Sequence, residues 1–498
     1  MTTDSLTDEN NPVWFSMALA TVLTVTMFRI LVVASSPFPL FFDEAQYWIW
    51  AQDLAFGYYS KPPVIAWVIA GTTALCGDGE GCVRVSAPLF HGGTSMLVFL
   101  LARALYNSRA GFWAAGSFAL LPGISLSSMI VSTDVYLLFF WAIALLALLR
   151  AEATDRWAWW LLFGAALGFG FLSKYAMVFF LLGIVVDAVW RHSADPVWKR
   201  TKFWSATTLA LVLYIPNFMW NWSSGFSSYI HTGENINIGG DHLNPLKALE
   251  FFSSQFAVFG PVLFTMYLII VFRRLVLGQD RPLLDDTQRR LFAYSLPIVV
   301  LITIEAFFTR AHANWAATAY VAATVLVAGE ALKINRVGWL KASLAVHVFA
   351  AILLYNFDLI ARTLNIPITP ILDPARRMRG WDHAGDWATE LQIEFPGVRL
   401  LFDDRKVMSA LIYYARPNPF DAVMWNPTVK RNNHYEIMTE LSTAVGENFL
   451  YVVRHDSPER ASMSFTDSRL IATFRSRSYS GNALELSAYL LSDFRGYN

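Results

Sequence analysis

Phe41-Phe42-Asp43-Glu44-Ala45-Gln46-Tyr47-Trp48-Ile49-Trp50 is the stretch on which the fold turns, and Gly57-Tyr58-Tyr59-Ser60-Lys61-Pro62-Pro63 completes it. Two adjacent carboxylates stand here between apolar runs. A carboxylate close to hydrocarbon is costly to keep, so it reads first as functional. Partial burial would also raise its pKa and let it act as a base. Tyr47, Trp48 and Trp50 mark a helix lying at a membrane interface. Asp43 could instead cap a helix starting at Glu44. Capping alone needs neither a second acid nor the nearby Lys61. Lys61 precedes two prolines, which suit the first turn of a helix. That places its ammonium at a helix N-terminus, where phosphate is attracted; a lysine snorkelling to headgroups is the plain alternative.

The flanking sequence says what surrounds this loop. The chain has 498 residues, 55% hydrophobic and 15% charged, against about 25% charged in soluble domains. Mean hydropathy is +0.41. A soluble single-core enzyme, a disordered chain and a disulfide scaffold are excluded. Lys and Arg together number 38, as do Asp and Glu, and no polybasic domain points to nucleic acid. The charge is uneven. Residues 373–498 carry 31 charges in 126 positions, whereas residues 1–372 carry 45. The first part reads as membrane and the second as a small α/β extracytoplasmic domain. They meet at Ile366-Pro367-Ile368-Thr369-Pro370, where a helix would end.

A spanning helix needs about 20 mainly apolar residues. Eleven stretches qualify: 13–34, 86–105, 111–130, 135–151, 157–173, 175–190, 203–219, 257–272, 291–308, 315–332 and 339–356. Residues 62–76 are apolar but short, and read as a re-entrant or interfacial helix. The acidic first residues and the lack of a small-residue cleavage site predict an uncleaved first anchor. Sixteen Lys and Arg fall on one set of short loops, and five on the other: Lys61, Arg84, Lys174, Lys247 and Arg310. The richer side is expected in the cytoplasm. The N-terminus then lies inside, and the loop around Asp43 and the C-terminal domain lie outside. Cys76 and Cys82, the only cysteines, are expected to form a disulfide in that oxidising compartment. Two free thiols are the alternative.

Other outer loops repeat the theme. Asp134 follows Ser132-Thr133, and an N-cap is its plain reading. Lys174 sits in Leu172-Ser173-Lys174-Tyr175. Arg310 opens Arg310-Ala311-His312-Ala313-Asn314-Trp315, where an arginine could fork onto phosphate beside His312 and Asn314. In the longest outer loop, His231, Glu234 and His242 could hold a divalent metal, but their spacing matches no strong metal motif. No cofactor is firmly expected. Two acids near a lysine, a third acid and further cations suit an enzyme that handles a lipid phosphate and a hydroxyl at the membrane surface. A transporter or flippase of lipid-linked sugars is the alternative, but it predicts mid-span ionisable residues and paired broken helices.

Asp43 to Trp48, Gly57 to Pro63, Ser132-Thr133-Asp134, Leu172 to Tyr175 and His312 to Trp315, in this order, resemble the outer loops of polytopic glycosyltransferases of the GT-C fold. The likeness is to the bacterial protein-mannosyltransferase-like group, which includes the transferase that adds aminoarabinose to lipid A. It covers residues 13–356. The resemblance implies a sugar donor on a polyprenyl phosphate, an envelope acceptor such as lipid A, lipopolysaccharide core or another glycan, and inversion at the anomeric carbon. It implies that Asp43 is the catalytic acid residue, that Lys61 contacts the lipid phosphate, and that Asp134 is the second-loop acid. On this reading Arg310 and Lys174 assist Lys61, Glu44 and Asp134 orient substrate, and Tyr58 and Tyr59 line the sugar pocket. His231, His312 and Asn314 are further substrate-binding candidates. The aminoarabinose transferases usually have Glu before Lys-Pro-Pro, where this chain has Ser60.

Overall fold

The structure is a computed structural model that describes residues 11–190, 196–236, 243–276, 284–369, 371–428, 431–454, 458–476 and 483–497. It is a bundle of apolar helices with an α/β layer on one end. All eleven expected stretches fall mainly on helix. Among the described residues, however, five helices are long and apolar enough to cross a membrane: Val13–Ala34, Glu80–Leu105, Thr133–Thr154, Asp286–Phe308 and Val337–Tyr355. A sixth arises if Pro245–Val258 and Pro261–Leu275, bent by 116°, count as one span.

The difference from eleven has local causes. The stretch 111–130 breaks at Leu121, because Pro122 opens a new helix and ends the one before it. The stretch 257–272 straddles the Gly260-Pro261 break between the two bent helices. Trp157–Ser173 is only 17 residues long. It packs closely on Thr201–Ser223, and a Cβ on Gly164 would meet the Ala206 carbonyl oxygen at 2.3 Å. Small residues let backbones approach where lipid gives no hydrophobic drive. Inside the bundle, Arg29 is buried without a carboxylate partner among the described residues. It donates to Ser125 Oγ at 2.8 Å and to Tyr355 Oη at 3.0 Å. The sequence reading passed over this residue.

The C-terminal residues fold on a five-stranded sheet. Its strands are β1 (Arg399–Phe402), β2 (Val423–Met424), β3 (Phe449–Val453), β4 (Phe465–Arg475) and β5 (Glu485–Phe494), in the order β2-β1-β3-β5-β4. The first three are parallel; β5 runs antiparallel to β3 and β4. Strand alternation sends Leu400, Phe402, Leu450 and Val452 against helices Trp381–Glu394 and Arg405–Tyr414. Leu401, Phe449, Tyr451 and Val453 fill the opposite face. Helix 405–414 in turn packs on helix Phe42–Gln52 of the first outer loop. Trp48 meets Tyr413 edge-on at 4.9 Å, and the Leu40 N–H donates to Tyr414 Oη at 2.6 Å.

Candidate active site

The helix 42–52 starts two residues earlier than a cap at Asp43 would allow. Phe41 is the N-cap residue, and Glu44 reaches back to accept its N–H at 2.9 Å. Glu44 is fully buried. It also accepts Arg84 Nη2 at 2.8 Å and the Val131 N–H at 2.8 Å. Its carboxylate is thus filled by protein donors, and the expected role in orienting substrate gives way to a structural one. Arg84, an outer-loop arginine that defies the topology rule, is explained by the same pair.

With Glu44 serving the helix end, Asp43 is released. Asp43, Gln46 and Tyr47 share one helix face, as their spacing requires. They line a cavity of about 120 Å³ with Tyr59, Ser60, Lys61, His231, Arg405 and Asn432. Asp43 Oδ1 accepts Arg405 Nη1 at 2.9 Å, and the same nitrogen donates to Gln46 Oε1 at 2.7 Å. Asp43 Oδ2 has no protein donor among the described residues. Asp43 and Arg405 side chains are 34% and 35% exposed, so the pair faces the cavity and not the core.

A tight turn presents the opposite wall. Tyr58 and Lys61 exchange backbone hydrogen bonds, N–H to O, at 3.1 and 3.3 Å. Ser228 Oγ fixes the turn from the long outer loop, donating to the Tyr58 carbonyl at 2.6 Å. Gly57 lies so close to Trp220 that a Cβ would sit 2.5 Å from its ring. Tyr58 is buried, stacked on Trp50 with centroids 4.6 Å apart, and donates to the Trp50 carbonyl. It therefore shapes the loop and does not line the pocket; Tyr59 does. His231 stands beside Tyr59, ring centroids 5.2 Å apart. Burial, then the charges of Lys61 and Arg405, hold His231 below its ordinary pKa.

Lys61 is half-buried, with no carboxylate within 4 Å among the described residues. Burial, then the neighbouring Lys174, lowers its pKa; Asp43 and Asp134 act in the opposite sense. The cation is costly where it stands and short of an anion. Next to it, Asp134 is not a cap either. Ser132 holds the N-cap position of helix 133–154. Asp134 instead accepts Lys174 Nζ at 2.7 Å on one oxygen and Asn314 Nδ2 at 2.8 Å on the other. Three residues from three separate loops thus meet. His312 and Arg310 are exposed beside them. Burial, then the charges of Arg310, Lys174 and Lys61, lowers the His312 pKa.

Cys76 and Cys82 are bonded to each other. His242 lies outside the described residues. Among the described residues, no three His, Cys, Asp or Glu side chains gather as a metal set. The residue that sequence reasoning missed is Arg405. It lies three residues past the carboxyl end of β1, where α/β sheets commonly bind ligands, and its helix is capped by Asp404, whose Oδ1 accepts the Lys406 N–H at 2.8 Å.

Sequence and fold comparisons give this geometry a family. The profile of the Dolichyl-phosphate-mannose-protein mannosyltransferase family matches residues 60–220. The lipid A galacturonosyltransferase RgtD of Rhizobium johnstonii is 32% identical over 422 residues, 84% of this chain and 86% of the relative. The chain belongs to the GT-C glycosyltransferases. It is therefore an enzyme, and the transporter alternative falls away. An undecaprenyl phosphate-alpha-4-amino-4-deoxy-L-arabinose arabinosyl transferase of Pseudomonas fluorescens is 27% identical over 34% of this chain and 31% of the relative. In fold, the enzyme is similar to ArnT from Cupriavidus metallidurans bound to undecaprenyl phosphate. The TM-score is 0.64 at 13% identity, over 96% of this chain and 98% of that one. The enzyme is a multi-pass membrane protein of that architecture.

Proposed function

We propose that this glycosyltransferase moves a galacturonosyl group from a polyprenyl phosphate to lipid A on the periplasmic face of the inner membrane. Residues 1–372 form the transmembrane catalytic domain, with an odd number of crossings and a cytoplasmic N-terminus. Residues 373–498 form the periplasmic α/β domain. The sugar and acceptor follow the galacturonosyltransferase relative, which matches most of the chain.

One observation supports the reading: Asp43, whose Oδ2 has no protein donor, and Lys61, which has no carboxylate within 4 Å, both among the described residues, line the same cavity. The acceptor hydroxyl attacks the anomeric carbon and gives its proton to Asp43 Oδ2. The new carbon–oxygen bond forms as the bond to the phosphate oxygen breaks, and the anomeric centre inverts. Polyprenyl phosphate leaves with its developing charge against Lys61, aided by Lys174 and Arg310. Losing a stabiliser of that kind costs about a hundred- to thousandfold in rate.

The test uses purified enzyme in detergent with labelled galacturonosyl polyprenyl phosphate and lipid A. Label should pass to lipid A with no nucleotide sugar present. No transfer to lipid A overturns the reading, and transfer only to a lipopolysaccharide core moves the acceptor.

A further inference from the structure

The Arg405 guanidinium has five N–H donors. Both hydrogens of Nη1 are taken, by Asp43 and Gln46. Nε and Nη2 have no hydrogen-bond partner among the described residues. Those two nitrogens form the side-on fork that matches a carboxylate through two parallel hydrogen bonds. The group is held in place from behind as well, with Cζ 5.6 Å from the centre of the Phe42 ring. It is a pinned arginine on a substrate cavity with its better edge unused.

The open edge of Arg405 asks for an anion. Lys174, Asp43, Asp134 and Arg405 all act on Lys61, and Arg310 joins Lys61 and Lys174 around His312. Glu234 acts on His231 and Tyr59, and Glu436 on Tyr59, but no carboxylate takes Arg405 Nε or Nη2 among the described residues. A polyprenyl-phosphate sugar brings one negative charge on its phosphodiester, and a uronic acid adds a carboxylate that this open edge can take. Lys61 and Lys174 stand together for the phosphate. Arg405 lines the same cavity as Asp43 and Lys61, so a sugar seated between the base and the phosphate lies within reach of the free edge of its guanidinium.

We propose that Arg405, carried into the cavity by the C-terminal α/β layer, is the specificity residue that reads the carboxylate of the donor sugar through Nε and Nη2. This rests on the transferase reading above and adds the residue that selects the sugar. The C-terminal layer then has a role of its own, because it closes the cavity and supplies the fork.

The test compares two donors that differ only at this group, galacturonosyl and galactosyl polyprenyl phosphate, with lipid A as acceptor. Full-length wild type, Arg405→Ala and Arg405→Lys are assayed. The readout is the ratio of kcat/KM for the two donors within each protein, so a partly folded variant does not distort it. Wild type should favour the galacturonosyl donor. Both variants should lower that ratio by about ten- to a hundredfold, the range of a charge-assisted hydrogen bond lost, chiefly through KM of the galacturonosyl donor. Lysine should not rescue, because a point charge cannot fork. An equal fall for both donors with the ratio unchanged overturns the proposal and leaves Arg405 a partner of Asp43 or of the phosphate. A wild type that prefers the galactosyl donor also overturns it, with the transferase intact. A wild type that transfers from neither donor removes the reading of galacturonosyl transfer to lipid A itself.

Discussion

Lys61 shows how far a single residue can be read. Its place before Pro62-Pro63 was enough to suggest a phosphate contact. Its cost was not legible, because that depends first on burial in the folded chain and then on Lys174 and Arg405, which are distant in sequence. The sign of the shift makes a prediction. Burial favours neutral lysine, so the free enzyme loses the Lys61 charge below the ordinary lysine range as pH rises. The basic limb of kcat/KM, which reports the free enzyme, should therefore fall at lower pH than a normal lysine would give. Bound phosphate restores the charge, so the limb of kcat should lie higher. Lys61→Arg should remove the limb in kcat/KM. Coincident limbs for kcat and kcat/KM would contradict this role.

Asp43 and Glu44 are neighbours that part company for one helical reason. Side chains one residue apart on a helix diverge by about 100°, and here Asp43 faces the cavity while Glu44 turns inward to Arg84. The sequence offered both as site residues. The structure gives Glu44 to the helix start and to Arg84.

At the scale of elements, that pair ties three segments together: helix 42–52, the short helix Glu80–Arg84 and the chain entering helix 133–154. Breaking a buried pair by removing one partner costs about 3–5 kcal/mol. Glu44→Ala should therefore lower thermal stability in detergent by an amount in that range. Asp43→Asn should barely change it, because exposed pairs contribute about 0–1 kcal/mol. Equal losses for the two variants would contradict the division of labour.

Elements were legible where a local signal exists. The notably apolar Val13–Ala34 falls where its hydrophobicity puts it, and the apolar runs at 399–402 and 449–453 form strands of the α/β domain expected at the C-terminal end. The breaks at Leu121-Pro122 and Gly260-Pro261 were readable as Pro signals, but unbroken apolarity around them suggested continuous spans. The antiparallel pair β4 and β5 was missed. Strand β4 has an exposed, irregular pattern and pairs at a sheet edge, so it offers little of the alternation that a sequence reading needs.

For the whole molecule, the membrane part was legible from composition, and the family from the order of the loop motifs. The contribution of the C-terminal layer was not. Arg405 meets Asp43 across 362 positions of chain, and no local pattern encodes such a contact. The proposed orientation is testable with single cysteines, since Cys76 and Cys82 occupy each other. Met463 is 79% exposed on the C-terminal layer. Met463→Cys should react with a membrane-impermeant thiol reagent added outside the inner membrane. Arg156→Cys, on the loop before helix 157–173, should react only after lysis. The reverse pattern would invert the topology.

The most direct measurement is a single-turnover experiment on Asp43→Asn with labelled galacturonosyl polyprenyl phosphate, reading donor binding and transfer to lipid A separately. Asparagine keeps the shape of the side chain but cannot take a proton from the acceptor. Donor binding should stay within a few-fold of wild type, while transfer falls by at least about a hundredfold, as expected for loss of a general base. Transfer near the wild-type rate would show that Asp43 is not the base, and the account of this cavity would fail.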